Sequence, residues 1–100
     1  MKYIVDGRVA VIVSPGYGAG WSTWGKPEMA LDGELAQAIL AEKPLPELSA
    51  IATKNWPEAY LGGLEDCVVE WVNEGAQFEI EEYDGSESLH VIGNRRYMSA

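Results

Sequence analysis

Two β-branched runs, Tyr3-Ile4-Val5 and Arg8-Val9-Ala10-Val11-Ile12-Val13, are separated only by Asp6-Gly7. That spacing predicts a tight hairpin, because both central residues of a type I′ turn need positive φ. The second run is apolar at nearly every position, which predicts a central strand or one covered on both faces. Residues 14–25 then lose all periodicity, and Pro15 with four glycines excludes a continuous helix or strand there. From Asp32 the spacing becomes helical. Leu35, Ala36, Ile39 and Leu40 form an apolar stripe through about Glu42, with Asp32 as N-cap and Pro44 as the stop. A second helix is predicted over 46–55, using Leu48, Ile51 and Ala52, until Pro57 intervenes.

Beyond Gly62-Gly63 the period returns to two. Residues 66–72 read as a strand, and Asn73-Glu74-Gly75 reads as the connection of a bulged hairpin with Gly75 in the left-handed position. Residues 76–83 alternate cleanly, with Ala76, Phe78 and Ile80 on one face and Gln77, Glu79 and Glu81 on the other. Asp84-Gly85 begins another turn, and Leu89-His90-Val91-Ile92 reads as a last strand. Residues 94–100 read as a frayed tail, from which Arg95, Arg96 and Tyr97 could dock. The order β-β-α-α-β-β-β predicts one α+β domain over residues 1–100. In it an antiparallel β-sheet of about five strands carries two helices packed on one face.

Composition fits that reading: 100 residues with 47% hydrophobic content suit one globular domain. Cys67 is the sole cysteine and His90 the sole histidine, so an intrachain disulfide is impossible and a zinc site is disfavoured. The N-terminal apolar run breaks at Asp6-Gly7, so neither a signal peptide nor a membrane span is expected, and the expected location is cytoplasmic.

Charge changes the picture more. The net charge of −9 is concentrated: residues 55–94 hold ten carboxylates and no Lys or Arg, whereas residues 1–54 hold six acids against five bases. Such a field repels nucleic acid and anionic membrane and accelerates association with basic surfaces. The expected partner is therefore a basic protein or ribonucleoprotein, with no direct nucleic-acid contact.

Several motifs invite chemistry. The glycine loop could turn backbone N–H groups toward a phosphate, but no Gly-Lys-Ser/Thr follows and no long helix starts after Gly20. Tyr17, Trp21 and Trp24 in that loop could plug the end of the sheet or form a rigid anchor for a protein or a planar ligand. The stretch from Glu79 to Glu87 is acidic enough to suggest calcium, yet it lacks the ligand spacing of an EF-hand. Asp84, Glu87 and His90 are the obvious acid–base trio, although acid-rich turns are commoner than active sites. Cys67 lies in an apolar strand far from His90 and reads as an inert thiol. Catalytic, cofactor-binding and metal-binding residues are accordingly assigned to none. The partner-binding set comprises Glu79, Glu81, Glu82, Asp84 and Glu87 as charge contacts, with Trp21 and Trp24 as anchors.

Gly18-Ala19-Gly20-Trp21-Ser22-Thr23-Trp24, together with Phe78-Glu79-Ile80-Glu81-Glu82-Tyr83-Asp84-Gly85-Ser86-Glu87, resembles a family of small proteins encoded by bacteriophages and prophages. Anti-CRISPR proteins, including those aimed at the type I-F surveillance complex, are similar in length, acidity and lack of catalytic residues. The resemblance implies a non-enzymatic inhibitor acting in the host cytoplasm, its acidic face competing with DNA for a Lys/Arg-lined surface of a defence complex such as a CRISPR surveillance complex. Two alternatives stand beside it: a small-molecule or signalling-nucleotide binder that uses the Gly/Trp loop, and a structural or accessory phage protein.

Overall fold

The computed structural model describes residues 1–92, 98 and 99. Strand β1 (Ile4–Val5) turns through Asp6-Gly7 into β2 (Arg8–Val13). Both turn residues have positive φ, 51° and 75°, the geometry that the Asp-Gly pair predicts. A 3-10 helix follows at Pro27–Leu31, then α1 (Gly33–Leu40), α2 (Leu45–Asn55) and a second 3-10 turn at Leu64–Asp66. The chain continues through β3 (Val68–Asn73), β4 (Gln77–Tyr83), β5 (Ser86–Ile92) and β6 (Met98–Ser99).

The fold is α+β, and its strands divide between two antiparallel sheets where one was expected. One sheet has the order β1-β2-β3 and the other β5-β4-β6. The physical cause lies in β2. Ala10 and Ile12 pack in one cluster with Trp21, Met29, Leu35, Ala36, Ala52 and Leu64, while Val9, Val11 and Val13 on the opposite face pack with Ala30, Val72 and Phe78. A β4 strand hydrogen-bonded beside β3 would leave those valines in water. Crossing at residues 74–76 to lay Phe78 over them buries each, worth about 1.5–3 kcal/mol per side chain. Gly75 does adopt the left-handed conformation (φ 86°), but it turns the chain between sheets and closes no β3–β4 hairpin.

The capping prediction holds: Asp32 Oδ1 accepts from the Leu35 N–H at 3.1 Å. Its Oδ2 also accepts from Asn55 Nδ2 and Trp56 Nε1, at 3.0 and 2.9 Å, so one buried carboxylate joins the start of α1 to the end of α2. The Pro27–Leu31 helix had no strong signal, yet it delivers Met29 to one cluster and Ala30 to the other. Strand β5 begins at Ser86, three residues before the predicted Leu89. Of the tail expected over 94–100, Met98 and Ser99 pair with Phe78 and Gln77 of β4. The docking suggested for Arg95, Arg96 and Tyr97 falls outside the described residues.

Candidate functional site

Strands β4 and β5 form a two-residue hairpin through Asp84-Gly85, whose φ values of 50° and 84° repeat the geometry of the first turn. Its register places Glu82 opposite Glu87, with Ile80 opposite Leu89 and Phe78 opposite Val91. Alternation therefore puts Glu82 and Glu87 on the core-facing side of the hairpin, at its turn end. Residues 15–24 lie against that end. The Gly18 N–H donates to the Asp84 carbonyl at 2.8 Å, and Ser86 Oγ donates to the Pro15 carbonyl at 2.6 Å.

Glu87 is only 2% exposed. Its Oε1 accepts from the Ser14 N–H at 2.9 Å. Its Oε2 accepts from the Trp21 N–H at 2.7 Å, the Thr23 N–H at 3.0 Å and the Thr23 hydroxyl at 2.6 Å. Burying a carboxylate is costly unless its lone pairs are met, and these donors meet them with oriented backbone and hydroxyl dipoles. Backbone exchange completes the joint, as the Glu87 N–H donates to the Ser14 carbonyl at 2.8 Å. Gly20 makes the approach possible: a Cβ there would lie 2.5 Å from Thr23 Oγ1 and 3.0 Å from Glu87 Oε2. Gly85 is required twice over, by its positive φ and by the Ala19 backbone lying where a Cβ would stand.

Glu82 holds the outer edge of the same loop. Its Oε2 accepts from the Gly85 N–H at 2.8 Å and from the Trp24 indole N–H at 3.2 Å. Those donors, the Gly85 amide first, hold its carboxyl below the ordinary value of 4.5. A depressed carboxyl contributes stability that is present above 4.5 and lost as pH falls through the lower folded value. An NMR titration of the Glu82 side chain should therefore show a midpoint below 4.5, and Trp24→Phe, which removes the indole donor, should move it upward.

The residues expected to bind a partner thus divide three ways. Glu79 and Glu81 face away from Phe78, and His90 lies opposite Glu79 and 3.7 Å from a Glu81 oxygen. Glu82, Asp84 and Trp24 are exposed around the hairpin turn. Glu87 and Trp21 are inside, which corrects their assignment as surface contacts. Trp21 is 0% exposed, with its indole N–H bound to the Met29 carbonyl at 3.0 Å. Three-residue spacing therefore separates the two tryptophans, one into the core and one to the surface. Trp24 stacks at a tilt on Tyr60, ring centroids 5.6 Å apart, and Tyr60, Tyr17 and Tyr83 are exposed as well.

The acid–base trio does not assemble, since Glu87 faces inward, Asp84 occupies the turn and His90 sits on the outer face. Cys67 is partly buried, and its Sγ donates to the Gly63 carbonyl at 3.4 Å. Desolvation, reinforced by the nearby charges of Glu87 and Asp66, pushes its thiol far above the ordinary value, so the nucleophilic thiolate is suppressed. No group of three His, Cys, Asp or Glu side chains able to hold a metal occurs among the described residues.

Sequence reasoning missed Ser14, Thr23 and Tyr60, and it misplaced Glu87. A signal for Glu87 existed: extending the β5 alternation two residues backward puts it in phase with Leu89. No helix among the described residues is long and apolar enough to cross a membrane. No protein-family model matches the chain, and neither a curated protein nor a solved structure matches it.

Proposed function

We propose that this is a phage-encoded inhibitory binding protein of the host cytoplasm. Its acidic hairpin occupies a Lys/Arg-lined surface of a nucleic-acid-binding defence complex, as an anti-CRISPR protein does. The observation that carries the reading is a surface of one charge sign with aromatic anchors beside it. Strands β4 and β5 carry Glu79 and Glu81 on the face away from Phe78 and Glu82 at the turn end, outside the buried Glu87, and contain no Lys or Arg. At the hairpin turn, Glu82 and Asp84 adjoin exposed Trp24. Exposed aromatics in an acidic surround suit a basic protein surface, where charges speed encounter and rings set the lifetime of the complex.

Carboxylates standing in for phosphates make binding mutually exclusive with DNA, so inhibition needs occupancy and no chemistry. The separation of Asp84 at the turn, Glu87 inside and His90 on the outer face supports a binding role over a catalytic one. The nucleotide-binding alternative has less support, because the converging N–H groups of the glycine loop are already taken by Glu87.

Reversing Glu79 and Glu81 to Lys is the cleanest test, since neither holds the loop and Glu82 does. The double reversal should weaken competition with DNA for the basic complex by about tenfold or more and flatten its salt dependence, with stability unchanged. Undiminished competition, measured by displacement of a labelled duplex, overturns the electrostatic reading.

A further inference from the structure

We infer that the cleft lined by Tyr17, Gly18, Trp24 and Asp84 is a clamp for one arginine side chain of the basic partner, an inference that rests on the binding role proposed above. The cleft is a surface hollow of about 430 Å³. Its Trp24 wall is held by two contacts, Tyr60 against the ring and Glu82 on the indole N–H. Tyr17 is 75% exposed, a large aromatic ring left in water. At Gly18 (φ 109°) nothing lies within 4 Å of where a Cβ would stand, so the space beside the backbone is open. No hydrogen bond or ion pair engages the Asp84 carboxylate among the described residues, and its position is set by the positive-φ turn that carries it.

Two aromatic rings and a free carboxylate are the chemistry that recognises an organic cation. A planar guanidinium fits better than an ammonium, because it can stack on a ring while its fork meets a carboxylate in two hydrogen bonds. A phosphate is repelled by Asp84 and Glu82, and an apolar side chain would bury the Asp84 charge unpaired. Since the Trp24 wall is already held, little ordering of that ring accompanies capture.

The test is an NMR titration of the full-length, ¹⁵N-labelled protein with three capped tripeptides, Gly-Arg-Gly, Gly-Lys-Gly and Gly-citrulline-Gly. The arginine peptide should shift the Trp24 indole and the Gly18 amide in a saturable way. Citrulline, a neutral isostere, should bind at least about fivefold more weakly, and lysine should fall between them. Asp84→Asn keeps a residue that tolerates the left-handed turn and should reduce arginine binding to the citrulline level. Tyr17→Ala, at an exposed position, should weaken it independently.

Equal binding of citrulline and arginine, shifts confined to other surfaces, or arginine binding unaffected by both variants would overturn the clamp. The two proposals fail separately. Loss of DNA competition in the Glu79/Glu81 reversal with no arginine shift at Trp24 removes the clamp and keeps the acidic surface. An arginine shift at Trp24 with unaltered DNA competition in that reversal keeps the clamp and removes the acidic-surface reading.

Discussion

Glu87→Gln is expected to lower the free energy of unfolding by about 2–4 kcal/mol, and Glu87→Ala by about 3–5 kcal/mol. The carboxylate accepts from three backbone N–H groups and one hydroxyl. A glutamine carbonyl can serve at most about two of those donors, and its amide group turns further N–H bonds toward the rest. Each buried donor left without a partner costs about 1–3 kcal/mol. Denaturant midpoints read the loss directly. Thr23→Ala should cost about 1 kcal/mol alone and almost nothing in the Glu87→Gln background, since its hydroxyl serves that carboxylate. An effect of Glu87→Gln below about 0.5 kcal/mol would mean that the carboxylate does not hold the loop.

The second large effect separates the two loop tryptophans. Trp21→Ala should cost about 3–5 kcal/mol, because it empties a fully buried site and strips the Met29 carbonyl of its donor. Trp24→Ala removes a side chain that is 41% exposed and should cost about 1 kcal/mol or less. Binding to a basic partner should reverse the order, since only Trp24 is presented outward. Comparable destabilisation by the two substitutions would contradict the core-versus-surface division.

Local chemistry was readable along the chain wherever one residue type satisfies a steric demand. Asp6-Gly7 names its turn because both positions need positive φ, and Asp32 names the start of α1 because a short acceptor meets free N–H groups there. The unbroken apolar run of β2 likewise told that both faces are covered. What the strand patterns could not convey is which strand lies beside which. Period-two alternation fits one wide sheet as well as two stacked ones, and the choice is made by the need to cover Val9, Val11 and Val13.

The candidate site was half readable for a related reason. Acidity marked the hairpin, and glycines marked a loop whose N–H groups converge. That these are donor and acceptor of one joint depends on contacts spanning more than sixty residues of sequence, which no local pattern encodes. The pairing gives the glycine loop and the acidic hairpin a common physical purpose. The glycine loop folds around an internal anion and, in doing so, sets Trp24 and Tyr17 beside Glu82 and Asp84.

Amide hydrogen exchange at Trp21 and Thr23 tests that joint most directly, compared between the native protein and Glu87→Gln under conditions where both remain folded. Strong protection of the two amides in the native protein, lost in the variant while β2 and β4 stay protected, is the result expected from a loop folded around the carboxylate. Rapid exchange of both amides in the native protein, or equal protection in the variant, would show that Glu87 does not organise the loop.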